Sequence, residues 1–562
     1  MNLATVGQSG LLAAQNRLQT TGHNITNAAT PGYSRQQVLV ETAGATATSA
    51  GWVGRGVRAV TVQRAYDAFL SAQLMQARTR GAALDAYGGQ IAQINNLMAD
   101  RSTGVSPALQ RFFDGLQAVA SAPADVAARQ ELLGRADSLV SQLHQVNDFL
   151  NDQRVNLNEQ ISTAVQQANS LLDRIQSLNQ KVAAAGAGVT GQPPNDLLDQ
   201  RDELLAQLGE LINVRMVEQN GQVSLNAGNG QLLLAGDTVF HLRATPAPAD
   251  AGRLTVSVEI PDGHGGLVAL ALAETSVTGG QLGGLLEFRR DVLDTAQNDL
   301  GRLAVGLALS INAQHAQGYG LSGQPGGEVF SVGDPQVRAF GGNSTGLVPG
   351  LHYEDASKLT GSDYEARFDG VQYTIVRLSD GIQVAAGSAG EPLSFDGLAL
   401  DTSALQPQPG DSWRLEPVRD AIKGLRLVLQ DPSEFAAAGL GADGLPGGTA
   451  HGDNALQMAQ LQLGKLLGGS VHSGPGQGAM SLNEAYSRLV NTVAVKAQAN
   501  QTAIQAQNAL YQQSHAAQQA VSGVNLDEEF ILLQRYQEQY RAAARLIDTA
   551  SSMFDTLLGL RA

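Results

Sequence analysis

The sequence predicts a mainly α-helical protein with inserted β domains, in which long heptad helices form a helical bundle that is discontinuous along the chain. Three observations predict this fold class: a heptad seam over residues 136–182, two intervening segments of short β-like runs, and heptad helices at both chain ends. At 562 residues the chain is several times longer than a typical domain, so we expect more than one domain.

The N-terminal helix is indicated by a short apolar stripe that stops at a helix-breaking turn. Thr30-Pro31-Gly32 cannot continue a helix, because proline lacks the amide hydrogen that a helix needs. The stripe consists of Leu11, Ala14, Leu18 and Ile25.

The central seam alternates spacings of four and three residues, and its only polar members are Asn147 and Arg154. We therefore expect a helix of about 45 residues that presents one narrow apolar stripe to partner helices. Similar stripes occur over residues 84–98 and 293–307. The helical domain is accordingly predicted to consist of residues 61–213, 281–323 and 432–521.

Two segments between the helices have the pattern of β structure. The turn pair Asn220-Gly221, flanked by β-like runs, predicts a small β insert over residues 214–280. Alternation of apolar and polar residues from Val371 onward predicts an outer β domain over residues 324–431.

The last helix has a clear predicted start. Asn525 can cap it, and Asp527 to Glu529 place acids at the positive end of the helix dipole, which explains these acids without a catalytic or cation-binding role. Three-four spacing then continues almost to the chain end without a visible local partner. The positions of this seam are Phe530, Leu533, Gln537, Tyr540, Ala544, Ile547, Ser551, Phe554 and Leu558.

The two terminal seams can pair with each other as one coiled coil. We therefore expect residues 1–60 and 522–562 to form one terminal helical domain. The heptad pattern alone fits either packing within one chain or self-assembly.

The composition excludes several classes of function. The chain holds 36 Lys and Arg against 52 Asp and Glu, a net charge of -16, which disfavours nucleic acid and anionic membranes as partners. It has no cysteine, so disulfides, thiolate metal sites and cysteine nucleophiles are excluded. A long apolar run and a basic N-terminal region are both missing, so neither membrane insertion nor ordinary signal-peptide export is predicted.

The two ends of the chain resemble flagellar axial proteins. The segment Gly7–Gln36, GQSGLLAAQNRLQTTGHNITNAATPGYSRQ, resembles the N-terminal signature of the rod, hook and hook-associated axial proteins. The C-terminal segment Val521–Leu560 is similar to the end of the hook-associated protein 1 family in particular. The internal segments Asn195–Val214 and Ala308–Gly323 are similar to helical landmarks of the same family.

This resemblance implies a structural subunit of the bacterial flagellum without enzymatic activity or cofactor. Such a subunit is extracellular, is exported through the flagellar type III system without signal cleavage, and polymerises where the hook joins the filament. Its implied partners are further copies of itself, the hook protein, the next hook-associated junction protein and a cytosolic export chaperone. In that family the terminal helices form the inner tube, and they are disordered in the free subunit.

The resemblance also implies two sets of contact residues on the terminal seams. The expected assembly interface comprises Leu11, Leu18, Ile25, Phe530, Leu533, Tyr540, Ile547, Phe554 and Leu558. The expected contacts of the export chaperone are Phe530, Tyr540, Ile547 and Phe554.

Two glycine motifs and the histidines are the candidate chemical sites of the sequence. Gly342 to Gly346 matches the G-x-S-x-G nucleophile elbow around Ser344, but Pro349 follows where the elbow needs a helix, which favours a chance match. Gly474 to Gly478 lacks a preceding strand and a lysine, so a flexible linker is expected rather than a phosphate site. The nine histidines show no metal-binding spacing, and no metal site is predicted.

Two other classes of function are the alternatives to a structural subunit. A secreted surface-binding or adhesive module would act through the central β region. An enzyme would depend on Ser344.

Overall fold

The computed structural model describes residues 3–49, 51–98, 104–186, 192–219, 221–441, 444–469 and 478–560. The helices of this part are α1 Leu3–Asn27, α2 Ala68–Met98, α3 Val105–Ser121, α4 Val126–Gly186, α5 Asn195–Leu211, α6 Gly280–Phe288, α7 Asp294–His315, α8 Asp453–Gln460, α9 Leu482–Ser522 and α10 Leu526–Gly559.

The strands fall into three groups along the chain. The first group is β1 Gln36–Thr42, β2 Ala45–Thr48, β3 Gly51–Gly54 and β4 Val57–Arg64. The second is β5 Val214–Gln219, β6 Gln222–Ala227, β7 Leu232–Ala235, β8 Thr238–Val239, β9 Leu242–Ala247, β10 Asp250–Pro261 and β11 Leu267–Ala271. The third is β12 Phe330–Ser331, β13 Gln336–Ala339, β14 Gly350–Tyr353, β15 Tyr364–Phe368, β16 Gln372–Arg377, β17 Gln383–Ser388, β18 Leu393–Phe395, β19 Leu398–Asp401, β20 Ser412–Glu416 and β21 Arg426–Leu427.

The predicted central seam is the spine of the helical domain. Helix α4 extends over 61 residues, and its seam positions Leu143, Leu150 and Leu157 are fully buried. The surrounding core contains side chains from α2, α3, α5, α6, α7 and the first half of α9. The discontinuous bundle is thereby confirmed. Of the two polar seam positions, Asn147 is buried and Arg154 forms an ion pair with Asp250 of β10.

Close helix packing in the bundle depends on glycine. A Cβ atom on Gly284 of α6 would lie 2.1 Å from the carbonyl oxygen of Ala83 in α2. A π-helical turn, Arg289–Leu293, joins α6 to α7. Arg289, in this turn, has a fully buried side chain that forms an ion pair at 2.6 Å with Glu274, which precedes α6.

The segment predicted to form the small β insert contains two antiparallel sheets. Strands β5 to β8 form a four-stranded antiparallel sheet, and β9 to β11 form a three-stranded one. Gln219 pairs with Gln222 at the end of the β5–β6 hairpin, and Gly221 adopts a φ of +76°, as the predicted turn requires. The other turn residue, Asn220, lies outside the described residues.

The outer β domain consists of a five-stranded sheet, in the order β13-β20-β15-β16-β17, and a three-stranded sheet, β14-β19-β18. Its own core surrounds the fully buried Trp413, Tyr373 and Tyr364. The predicted range 324–431 is wider than this domain, because Phe330 and Ile422 lie in the core of the helical bundle. The short β12–β21 ladder brings both ends of the insert back onto the helices.

A buried ionic cluster joins the outer β domain to the helices. Asp294 of α7 accepts a hydrogen bond from Arg253 at 2.6 Å, and Arg419 forms ion pairs with Asp363 and Glu416. Burial opposes the ionisation of Asp294, but the guanidinium groups of Arg253 and Arg419 outweigh it and hold its pKa well below the usual range. The cluster fixes how the two domains meet.

The terminal domain contains β structure as well as the two predicted helices. Strands β1 and β4 pair in antiparallel register from Gln36–Arg64 to Thr42–Val57, and β2 pairs with β3 beyond them. The assignment of residues 1–60 to a helical domain missed this β1–β4 hairpin. The two runs rich in β-branched residues, QQVLVET at Gln36–Thr42 and VRAVTVQR at Val57–Arg64, are the sequence signal that could have identified it.

Candidate assembly interface

The two terminal helices pack against each other in antiparallel orientation, which confirms the predicted pairing. Gly7, near the start of α1, meets Ile547 near the end of α10, and Asn24 near the end of α1 meets Glu529 at the start of α10. A Cβ atom on Gly7 would lie 2.9 Å from Ile547 Cγ1 and 3.1 Å from the carbonyl oxygen of Ala543. The helices therefore approach closely through small residues.

The buried face of α10 is displaced by one residue from the predicted seam. Its buried residues are Glu529, Ala543 and Ala550, spaced by multiples of seven. The close approach explains the shift, since only small side chains fit between the two backbones. Of the predicted seam, Leu533 and Ile547 are half-buried, whereas Phe530, Tyr540, Phe554 and Leu558 are exposed by 54%, 38%, 57% and 55%.

On α1 the buried residues are likewise small or polar. They are Gly7, Ala13, Ala14, Thr21 and Asn24. The predicted interface residues Leu11, Leu18 and Ile25 are half-buried. The structure thus places the nine predicted interface residues on the terminal helix pair, but mostly at the edges of its inner seam or on its outer surface.

A polar cluster joins the start of α10 to the segment that follows α1. Glu529, 1% exposed, accepts hydrogen bonds from Arg35 Nε at 2.7 Å and from Asn24 Nδ2 at 3.1 Å. Asn24 Oδ1 accepts from the Tyr33 hydroxyl at 2.8 Å and from the backbone N–H of Gln36 at 2.9 Å. Three side chains and one backbone N–H of the N-terminal signature therefore form a network that ends on one carboxylate of the C-terminal helix.

The position of Glu529 corrects the interpretation of the acids at the start of α10. Asn525 caps the helix as predicted, accepting from the backbone N–H groups of Asp527 and Glu528 at 3.0 and 3.4 Å. These two acids are exposed, in keeping with a dipole role. Glu529 points inward and links the two ends of the chain. Local sequence did not reveal this role, because it depends on the contacts with Asn24 and Arg35.

The same signature attaches the terminal domain to helix α5 of the bundle. Asp199 accepts hydrogen bonds from the backbone N–H of Ser34 and from Arg64 of β4, both at 2.9 Å. Burial raises the pKa of Asp199, although the bonds from Ser34 and Arg64 act to lower it. Burial also raises the pKa of the Tyr33 hydroxyl, with Asp196 among the carboxylates that add to the shift.

The last part of α10 extends beyond α1. Residues 551–560 are all exposed, and at 1.5 Å per residue they continue for roughly 15 Å. This overhang carries large apolar side chains with little contact to the rest of the chain. They are Met553, Phe554, Leu557, Leu558 and Leu560.

The other motifs form no recognisable reaction site. Ser344 lies in an exposed loop between β13 and β14, where its hydroxyl donates to Asp411 at 2.6 Å, so the strand and helix of a nucleophile elbow do not surround it. Of the predicted linker Gly474 to Gly478, all but Gly478 lies outside the described residues. Within the described ranges, no group of three or more His, Asp or Glu side chains is arranged to hold a metal ion, and no helix is both long and apolar enough to span a membrane.

Comparison with known proteins relates the chain to flagellar proteins over its whole length. It is 36% identical to flagellar hook-associated protein 1 of Salmonella typhimurium over 566 residues and 34% identical to that of Escherichia coli K12 over 562 residues, each covering 100% of both chains. The structure is similar to that of the flagellar hook junction protein FlgK from Burkholderia pseudomallei, with a TM-score of 0.73 and 29% identity over 80% of this chain and 100% of that one.

Family descriptions match three separate parts of the chain. Residues 91–330 match the helical domain of flagellar hook-associated protein FlgK, and residues 342–417 match the D2-like domain of flagellar hook-associated protein 1. Residues 517–560 match the C-terminal family of the flagellar basal body rod proteins FlgEFG. Together with the full-length identity, these matches show that the chain belongs to the flagellar hook-associated protein 1 family.

Proposed function

We propose that this chain is a structural subunit of the bacterial flagellum that polymerises at the distal end of the hook and joins the hook to the filament. The observation that carries this proposal is the outer face of α10. Its large apolar side chains stay exposed although the helix is already paired with α1 through its inner face. Exposed large apolar side chains clustered as they are over residues 553–560 mark a protein interaction site.

The energetics favour covering this face in an assembly. Full burial of one Phe or Leu side chain contributes about 1.5–3 kcal/mol. Phe530, Phe554 and Leu558 are each more than half exposed, so an assembly that covers them gains several such contributions. Because the same residues repeat on every copy, the contact can propagate from subunit to subunit.

The neighbours in this proposal are further copies of the chain, the hook protein and the next hook-associated junction protein. Export proceeds through the flagellar type III system, and a cytosolic chaperone holds the C-terminal segment beforehand. Phe530, Tyr540 and Phe554 are accessible for that chaperone, whereas half-buried Ile547 packs on Gly7 and becomes fully accessible only when α1 separates from α10. Disorder of both ends in the free subunit stays a prediction.

The adhesive alternative receives no separate support. The central β region matches a domain of hook-associated protein 1 itself over residues 342–417, so it is an ordinary part of this family. The β domain is therefore part of the proposed structural subunit.

The proposal is tested by restoring filament growth to cells that lack this protein. Purified wild-type chain is added to hook-bearing cells, and filaments are counted by electron microscopy. We expect the double variant Phe554→Asp, Leu558→Asp to fold but not to restore filaments, because burying an unpaired charge costs several kcal/mol.

The matched control is Gln501→Asp with Gln505→Asp, which adds the same charge to exposed positions of α9. The control should restore filaments like wild type. Filaments that form without any of this protein would refute the junction role, and full activity of the Phe554 and Leu558 variant would refute the role of the outer α10 face.

A further inference from the structure

The β2–β3 hairpin tip, described over residues 45–49 and 51–54, projects from the terminal domain with every one of these residues exposed. Trp52 is 77% exposed and Val53 43% exposed. Gly44 and Gly56, with φ values of +81° and +95°, stand at the two points where this tip leaves the β1–β4 ladder. A bare tryptophan at the end of a hairpin is costly unless a partner covers it, since aromatic side chains bury large areas in protein contacts.

The tip and the α10 overhang lie at the same end of the terminal domain. At the base of the tip, where β4 starts, the backbone N–H of Val57 donates to Ser9 Oγ at 3.2 Å. Two residues away on α1, Gly7 contacts Ile547, after which the α10 overhang begins. The hairpin tip and the α10 overhang therefore both project from the terminal domain near the first turns of α1.

The two projections rest on different faces of α1. Ser9 faces the hairpin, whereas Gly7 and Gly10 face α10, and residues two apart on a helix point in divergent directions. Residues 45–49 and 51–54 are all exposed, so they do not lie on the α10 of their own chain. A contact between tip and overhang thus requires two copies.

The two surfaces are complementary in charge. Arg55 adjoins the tip and forms no ion pair within the described residues. Asp555 is the one charged residue of the overhang, and Asp548 lies three residues before the overhang begins; neither forms an ion pair within the described residues. In a contact between the two surfaces, Trp52 with the neighbouring cation Arg55 would meet the apolar overhang with its neighbouring carboxylates. Opposite charges at such a contact favour association and fix its orientation.

We propose that the hairpin tip of one copy docks on the α10 overhang of a neighbouring copy, with Trp52 against Phe554 and Leu557 and Arg55 beside Asp548 and Asp555. The contact is heterologous, because a tip meets an overhang rather than another tip. Contacts of that type generate rings or helical arrays. The inference rests on the proposed polymerisation and specifies which surfaces of adjacent copies meet.

Cysteine cross-linking tests the contact directly, because the chain has no cysteine of its own. One full-length batch carries Val53→Cys, and the other carries Thr556→Cys, which leaves the apolar overhang intact. The two are mixed, added to hook-bearing cells that lack this protein, and oxidised. A covalent dimer is expected from the mixture and from neither batch alone. Val53→Cys mixed with Gln534→Cys, an exposed position far from the overhang, is the negative control.

A charge exchange gives a second measurement. Arg55→Glu in the Val53→Cys batch should lower the dimer yield by roughly tenfold. Asp548→Arg with Asp555→Arg in the other batch should restore it. Arg426→Glu, an equal change at an exposed arginine remote from the terminal domain, should leave the yield unchanged.

The outcomes separate this inference from the proposed function. The proposed docking of the tip on the overhang is wrong if filaments grow but the mixture gives no covalent dimer. It is also wrong if the Val53→Cys batch alone gives as much dimer as the mixture. In both cases the junction role stands. If even wild-type chain fails to restore filaments, the proposed function itself is wrong.

Discussion

Arg35 Nε lies 2.7 Å from Glu529 Oε1, so an ion pair joins residues 494 positions apart and connects the two ends of the chain. Arg35 also holds the end of α9, because its backbone N–H donates to the carbonyl oxygen of Ser522 at 2.8 Å. The junction of α1, α9 and α10 therefore depends on one arginine and one carboxylate.

Replacing Glu529 with Ala should loosen the terminal helix pair without unfolding the bundle. Removing one partner of a buried ion pair costs up to about 3–5 kcal/mol. Arg35 would keep only its contact with the exposed carboxylate of Glu528. Hydrogen exchange of α1 and α10 amides should accelerate while α4 amides keep their protection. The control is Glu528→Ala, whose side chain is 59% exposed and whose contact with Arg35 should contribute about 0–1 kcal/mol. Equal effects of both changes would contradict the role assigned to Glu529.

Gly7→Val should separate α1 from α10. The new Cβ atom would lie 2.9 Å from Ile547 Cγ1 and 3.1 Å from a backbone oxygen that cannot move away easily. We expect increased proteolysis of both termini and loss of assembly. Gly22→Ala in the same helix is the matched control, because nothing lies within 4 Å of its Cβ position. That change should stabilise α1 by about 0.5–1 kcal/mol. A Gly7→Val variant with unchanged termini would show that the close approach is unnecessary.

Removing the outer β domain should leave the bundle folded only if the cut avoids the helical core. A short Gly/Ser linker in place of residues 342–417 retains Phe330 and Ile422, whereas a linker in place of residues 324–431 deletes both. Loss of each such core side chain costs about 2–5 kcal/mol. Thermal melting followed by circular dichroism should stay cooperative for the shorter deletion and be lowered or lost for the longer one. Identical melting of the two variants would place those residues outside the core.

Stability should fall in mild acid because of His315. Its side chain is fully buried, Nε2 accepts from the backbone N–H of Ala436 at 2.7 Å, and burial lowers its pKa, with Arg129 adding to the effect. A histidine whose pKa is lowered in the folded state contributes its full stabilisation when the pH is above its ordinary pKa of about 6.5. That contribution is lost as pH falls from there toward the folded-state pKa.

The measurement for His315 is urea unfolding at about pH 7.5 and about pH 5.5. His315→Gln should reduce the difference in unfolding free energy between the two conditions, because glutamine takes up no proton. His264→Gln, at an exposed position between β10 and β11, is the matched control and should leave that difference as in wild type. An unchanged difference in the His315 variant would assign the acid sensitivity to other groups.

Local sequence patterns were sufficient for much of the fold. The four-three spacing predicted the spine α4, the turn signal at Gly221 predicted the β insert, and Asn525 marked the start of α10. These features depend on residues close together in the chain, where spacing and capping act directly. The terminal signatures likewise indicated the family that the full-length comparison confirms.

The sequence by itself determined that the two terminal helices carry complementary stripes, and only the tertiary structure decided which residues face inward. Heptad spacing shows which side chains share a face, but the distance between two helices depends on what the partner offers. Gly7 allows α1 to approach until Ala543 and Ala550 fill the seam, so Phe530 and Phe554 turn outward. The inward position of Glu529 also follows from partners hundreds of residues away, which no local pattern encodes.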